Sequence, residues 1–495
     1  MAQHRVLILS SAVGSGHKTA ARAVEVAFQA HPQIEVINQD ILEMTNDAYR
    51  RLSADTYLEA VKRVPWLVGM TYQYNDEPFK NEEPLRRLWD QLNVQPVVKF
   101  LREYQPQITI CTHYTPAGIV AQLMARGQLD TMLSVVTTDY DFQGMWLSRT
   151  FNRYFVAREE SKARLIDFGV EADRVTVSGI PVSHEFGEPL DREAVLARYE
   201  LRPDAPLLVM SAGAVGGGPA RAIVNQLMRL RNDVQIVVAC GSNAQLRRDV
   251  EELTLPQARK FRVLGFTHDM ANLLRAATLF IGKPGGLAAS ECMAAGTPMV
   301  IVMPIPGQEE RNADYLLEEG AAVRSNDVET IDFKIDMLLD NPQRLVWMRE
   351  NVQRIRRPDA AALIVATALA DENAPVRYDW RSQKRLIMSE LGTEKESRPT
   401  IDWSLFRPAL DHSLALYDDE NGVYLGTVSA AQYRTLRKYF TTFDDDTATT
   451  LVTVDDLARV RQLSFGSELL DRLERRVRFH GPLRMRRVKI ASPTV

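Results

Sequence analysis

Short, nearly continuous apolar runs alternate along this chain with stretches whose apolar positions recur at helical spacing. That alternation predicts a parallel α/β sheet rather than hairpins. The first run, Arg5 to Ser10, reads as a buried strand, Ser11 to Lys18 as a loop, and Thr19 to Ala30 as a helix stopped by His31-Pro32. Ile34–Asn38, Ile108–Cys111, Met132–Thr137, Tyr154–Ala157 and Val175–Ser178 continue as strands, with helical patterns at Ala117–Arg126 and Glu159–Phe168. Residues 1–180 are therefore expected to form one Rossmann-like domain. A polar, proline-bearing stretch, Pro181 to Pro206, precedes a second series. Its strands are Leu207–Ser211, Gln235–Ala239, Arg262–Leu264, Leu279–Ile281 and Met299–Met303; its helices are Ala220–Leu230, Ala244–Glu252, Met270–Ala276, Leu287–Ala295 and Gln308–Glu319. Residues 181–372 then make a second Rossmann-like sheet facing the first across a cleft, with ligands expected beyond the C-terminal strand ends. Past Asp371 the pattern fades. A charged segment, Thr393–Pro399, reads as a linker, and residues 400–495 as a small accessory extension with a strand-like piece at Gly422–Val428, an acidic run Asp444–Asp446 and a basic end from Arg472 to Lys489.

Composition narrows the class without naming it. At 495 residues, 45% hydrophobic and 25% charged, the chain is ordinary globular protein of more than one domain. A net charge of −4 supplies no overall basic field, so nucleic-acid binding is not expected. Cys111, Cys240 and Cys292 lack the paired spacings of zinc or redox motifs and read as buried thiols in a reducing compartment. No apolar stretch reaches the ~18 residues of a membrane span, and the N-terminal apolar run is too short for a signal peptide. Any meeting with lipid is expected from the water side.

Glycine turns at strand ends carry the chemistry. In Gly14-Ser15-Gly16-His17-Lys18-Thr19, His17 interrupts the Gly-Lys-Thr of a Walker loop, and Thr19 stands where a dinucleotide fingerprint needs its third glycine. What remains is a turn that lets backbone approach a ligand, with His17 placed to act as general base on a hydroxyl. Ser211 to Gly218 holds four glycines and is expected to turn amide N–H groups toward a diphosphate. Lys283-Pro284-Gly285-Gly286-Leu287 is a second such turn, with Glu291 one helical turn further on. Glu291 is suited to a ribose diol; a helix-start acid favoured by the dipole occupies the same position, and position alone does not choose. Gln308, Glu309 and Asn312 share one turn after Pro304-Ile305-Pro306-Gly307 and suit sugar hydroxyls, as they would suit a solvated helix start.

Three separated blocks resemble one family. They are GSGHKTA, YFVAREESKARLIDFGVEADRVTVSGIPV and GKPGGLAASECMAAGTPMVIVMPIPGQEERNADYLLEEGAA, and they look like the monogalactosyldiacylglycerol synthase and processive diacylglycerol glycosyltransferase group, related to the peptidoglycan N-acetylglucosaminyl transferase. The resemblance covers approximately residues 4–372. It implies the GT-B fold and an inverting, metal-free hexosyltransferase that uses a UDP-sugar as donor substrate, needs no cofactor, and makes glycolipid from diacylglycerol. The protein would be peripheral on the cytoplasmic face of the membrane. The resemblance places Glu291 on the ribose, the backbone around Phe266 and Met270 against the uracil, and Gly213, Ala214, Gly285, Gly286 and Leu287 near the diphosphate. Gln308, Glu309 and Asn312 fall on the donor sugar. His17 matches the family's glycine-loop histidine, and Asp139, in Thr137-Thr138-Asp139-Tyr140, its Thr-Asp block, both as base or acceptor contact. The turn here is Gly-Ser-Gly-His where the family more usually has three glycines.

Other functions fit parts of the same pattern. A GT-B enzyme with a polyprenyl-linked or soluble acceptor would keep the same donor site, a UDP-sugar epimerase would need no acceptor, and a sensor would use the extension for output. Val64–Tyr74, rich in aromatic residues, and the basic positions Arg475, Arg476, Arg478, Arg484, Arg486, Arg487 and Lys489 are where a membrane contact is sought. Core packing and a solvated charged face are the respective alternatives.

Overall fold

A computed structural model describes residues 4–11, 15–45, 95–215 and 217–378, and, further on, the strands 413–418, 424–429, 442–444, 449–452 and 483–489 with residue 473. The chain divides into two compact units, Met1–Met388 and Ser389–Val495.

The first unit contains two parallel sheets. Strands β1 (His4–Ser10), β2 (Ile34–Asp40), β3 (Ile108–Cys111), β4 (Met132–Val136), β5 (Thr150–Phe151), β6 (Arg153–Val156) and β7 (Val175–Val177) belong to the first lobe, and the main sheet runs β2-β1-β3-β4-β6-β7. Strands β8 (Leu207–Ser211), β9 (Gln235–Ala239), β10 (Phe261–Leu264), β11 (Leu279–Gly282), β12 (Met299–Val302) and β13 (Ala322–Ser325) form the second, in the order β10-β9-β8-β11-β12-β13. Helices cover both faces, which is why β3, β9, β11 and β12 are buried at every position and read as unbroken apolar runs. Each sheet has a point where the chain reverses its direction of travel, between β1 and β3 in one lobe and between β8 and β11 in the other. Ligands collect at such points because the loops there diverge and leave a crevice.

The chain crosses back at the end of the second lobe. The helix Ala360–Ala370 buries Ile364, Val365 and Ala368 against Val6, Ile8, Ala21, Val24 and Phe28 of the first lobe. Strand β14 (Val376–Arg377) then pairs antiparallel with β5, Val376 opposite Phe151. Asp371 receives the Arg153 guanidinium at 2.8 Å, a pairing shielded from water on both sides. Residues 360–378 thereby fasten the second lobe to the first.

Two expected loops are helical. The helix Ser15–Gln29 begins four residues before Thr19, which places His17 in its first turn rather than ahead of it. Ser211–Gly218 is not an open glycine loop: Ala212–Val215 is already helical and Gly217–Leu227 follows. Pro219 does not prevent this because it falls in the first turn, where its missing N–H has no helical partner to lose.

In the second unit, β15 (Ser413–Asp418), β16 (Tyr424–Ser429), β17 (Thr442–Asp444), β18 (Thr449–Val452) and β19 (Leu483–Lys489) build an antiparallel sheet in the order β16-β15-β19-β18-β17. The C-terminal part of the basic end is therefore its central strand, with Arg486 opposite both Tyr417 and Thr449. Val64–Tyr74, Thr393–Pro399, Asp445, Asp446 and Arg475 to Arg478 lie outside the described residues.

Candidate active site

The switch point of the first lobe brings His17, after β1, to Thr112 and His113, after β3. Nδ1 of His17 lies 2.9 Å from the Thr112 carbonyl and 2.8 Å from the Thr138 hydroxyl. A carbonyl oxygen only accepts, so Nδ1 carries the proton and Nε2 holds an unshared pair. Thr112 locks the turn from the other side, its hydroxyl donating to the His17 carbonyl at 3.0 Å. Burial lowers the His17 pKa to about 4, with the Thr112 hydrogen bond working in the opposite direction. The imidazole is thus neutral near pH 7 and presents a basic nitrogen.

Asp139 stands one residue beyond Thr138 and reaches into the second lobe. Its Oδ1 accepts from Nε2 of Gln308 at 2.6 Å and from Nδ2 of Asn312 at 3.4 Å. Burial raises its pKa to about 6; the two amide donors lower it and the charge of Asp141 raises it. Neighbouring contacts tie the lobes along the same line. Oδ1 of Asn312 accepts the Tyr140 N–H at 3.0 Å, and Arg311 pairs with Asp141 at 2.7 Å. Ser290 donates to the Gly286 carbonyl, leaving its oxygen to accept the Tyr140 hydroxyl at 2.9 Å. The Tyr140 ring stacks on Tyr315, with the Arg158 guanidinium 4.9 Å from the Tyr315 centroid.

The second lobe's turns line the opposite rim. Gly285 caps the helix Gly286–Ala295, whose first amides are free of helical partners and attract negative charge. Leu287 meets the first lobe, 3.7 Å from where a Cβ on Gly16 would stand. Glu291, on the same helix, is half-buried, and its carboxylate makes no hydrogen bond or ion pair with the described residues. Burial alone raises its pKa to about 7. A desolvated acceptor without a protein partner is what a ribose diol would satisfy. Glu309 turns inward and accepts the Ile305 N–H at 2.6 Å; burial raises its pKa while nearby Lys283 lowers it.

Gly213 packs on the next loop, with the Cys240 carbonyl 3.0 Å from its Cβ position, and Gly265 packs on Gly241 in turn. The ends of β8, β9 and β10 therefore form a continuous rim. Phe266 stands on it with 69% of its surface exposed, and Met270 packs into the core below. The nucleotide positions read from the sequence thus divide between the rim at Gly213, Phe266 and Met270 and the turn at Gly285–Glu291. Ala214 lies in the short helix Ala212–Val215.

Sequence reasoning missed His113, Thr112, Thr138 and Trp146. His113 packs edge-to-face on His17 at 4.5 Å, and Trp146 lies 6.3 Å from His17. The only signal was a polar Thr-His-Tyr-Thr after an apolar run, and it gains meaning once β3 is known to neighbour β1.

Two facing Rossmann-like lobes, with His17 at a strand end of one and the glycine turns at Gly213 and Gly285 at strand ends of the other, define a GT-B protein. The chain matches two family models: residues 17–182 match monogalactosyldiacylglycerol (MGDG) synthase, and residues 219–364 match the glycosyltransferase family 28 C-terminal domain. It is 29% identical over 371 residues to a processive diacylglycerol beta-glucosyltransferase of Bacillus mycoides (strain KBAB4), spanning 75% of this chain and 94% of that protein. Among solved structures it is similar to MurG of Acinetobacter baumannii, with a TM-score of 0.51 and 18% identity over 74% of this chain and 99% of that one. A putative UDP-N-acetylglucosamine 2-epimerase from Listeria monocytogenes is alike to the same degree, with a TM-score of 0.51 and 15% identity over 75% and 98%. These two likenesses concern the fold. The C-terminal sheet lies outside both family-matched ranges. Among the described residues, no helix is long and apolar enough to cross a membrane.

Proposed function

We propose that the protein transfers a hexose, glucose, from a UDP-sugar to the hydroxyl of diacylglycerol with inversion at the anomeric carbon. The observation that carries the reading is the fixed tautomer of His17, which leaves Nε2 without a partner among the described residues, beside the seam between the lobes. In the reaction the acceptor oxygen bonds to the anomeric carbon on the face opposite the nucleotide. Its proton passes to His17 Nε2, and the electron pair of the breaking sugar–oxygen bond leaves on the β-phosphate of UDP. The low basicity of the resting imidazole suffices, because the hydroxyl becomes strongly acidic as its oxygen bonds to carbon.

The departing diphosphate falls to the amides that begin the helix Gly286–Ala295, the ribose to Glu291, and the uracil to the rim near Phe266. Gln308 and Glu309 hold the sugar; Asn312, assigned to it from the sequence, is fully buried, with its oxygen on Tyr140 and its amide on Asp139. Asp139, which engages two of these groups from the first lobe, links sugar binding to lobe closure. Diacylglycerol resides in bilayers, so the acceptor is met at a membrane surface. The relatives' name favours glucose as the sugar.

Incubation with radiolabelled UDP-glucose and vesicles containing diacylglycerol tests the proposal. Label is expected in the organic phase together with released UDP. UDP release with all label remaining aqueous would favour an epimerase or hydrolase instead.

A further inference from the structure

His113 is almost fully buried, yet the fold uses only one of its two ring nitrogens. Nδ1 accepts the Thr115 N–H at 3.1 Å and so caps the helix Tyr114–Ala125. Accepting there leaves the proton on Nε2, and Nε2 has no hydrogen-bond partner among the described residues. Capping does not explain the choice of residue, since Ser caps as well and carries no second polar atom. The ring packs edge-to-face on His17 with centroids 4.5 Å apart and planes at 87°. Tyr114 stacks on its other side at 4.2 Å, and Trp146 lies 6.2 Å away, so one flank of the histidine pair is aromatic. Among the described residues the cluster therefore offers an unpaired acceptor on His17 and an unpaired donor on His113, on two rings in contact and flanked by aromatic side chains.

That arrangement complements a molecule with a hydroxyl, an accepting oxygen a few bonds away, and an apolar remainder. A diacylglycerol has this form: its free hydroxyl neighbours an ester whose carbonyl accepts, and its chains are hydrocarbon. We infer that His113 binds the lipid acceptor, its Nε2–H donating to the ester carbonyl next to the hydroxyl that His17 deprotonates. The inference rests on the diacylglycerol reading above. It assigns His113 to acceptor recognition, with Tyr114 and Trp146 flanking the glycerol.

The test compares wild type with His113→Asn in the full chain, on a diacylglycerol and on a dialkylglycerol that lacks the carbonyl. Asn keeps a capping oxygen, and its shorter side chain places no donor where the imidazole Nε2–H stands. For wild type, kcat/KM for the acceptor should fall about 10–100-fold from ester to ether lipid, the range of one unmade hydrogen bond in a buried site. The variant should show that loss already on the ester lipid and little further loss on the ether. Its UDP affinity and thermal midpoint should match wild type. Equal ester-to-ether ratios in both proteins would overturn the inference and leave His113 a helix cap. Absence of any lipid product from wild type would instead defeat the diacylglycerol reading, and this inference with it.

Discussion

The carbonyl of Thr138 occupies the place where a side chain on Gly286 would begin, so the two lobes touch backbone to backbone beside His17. A rigid carbonyl cannot swing aside as the tip of a long side chain can. Gly286→Ala should therefore hold the lobes apart at this point while leaving each sheet intact. The expected result is a kcat lower by about 10²-fold, the usual penalty for misplacing reacting groups by an ångström. UDP affinity should stay unchanged by calorimetry, and a wild-type kcat would show that closure at this contact is not needed.

Removing the base proposed at His17 separates chemistry from binding. His17→Ala should lower kcat by about 10²–10⁴-fold, the usual contribution of a positioned base, with UDP binding retained. Because burial holds this imidazole at about 4, its neutral form persists well below the ordinary histidine range. The acid limb that His17 contributes to kcat/KM should accordingly lie near pH 4 rather than near 6.5, as a pH–rate profile would reveal.

Asp139 supplies a second, separable limb. Its pKa of about 6 means that the carboxylate loses its charge, and its strongest hold on Gln308, as pH falls through 6. Wild-type activity should therefore drop below pH 6. Asp139→Asn, which cannot titrate, should abolish that limb and leave the one near 4, at a lower plateau.

Glu291 is where binding and stability oppose each other. Its folded pKa, raised to about 7, exceeds the unfolded value, so the native state is penalised as pH rises through this interval and fully so above it. Glu291→Gln should stabilise the ligand-free protein above pH 7 by on the order of 1–3 kcal/mol and have no such effect below pH 4.5. The same variant should raise KM for the donor. Thermal unfolding at pH 8 and pH 4.5 checks the first effect and initial rates the second.

The strands were legible because parallel strands buried on both faces are continuous apolar runs, and β8, β9 and the helix Met270–Ala276 lie where the pattern placed them. Helix starts were less so. At Ser15 and Ala212 small residues and glycine read as turns, yet each segment is helical in its fold. The helix Ala360–Ala370 is apolar all round, so no amphipathic face announces that it packs on the first lobe. Glu291, Gln308 and Asn312 stood out because they follow glycine turns within one helix. Thr112, His113 and Thr138 did not, since their meeting with His17 depends on strand order, which local spacing does not encode.

A single displacement assisted by His17 fixes the stereochemistry of the product. The anomeric configuration of the first glycolipid formed from an α-linked UDP-sugar, read from its proton NMR coupling, is the most direct measurement. A β-linked product is the result expected here. An α-linked product would contradict the account, because it requires a second displacement for which the site described here assigns no nucleophile.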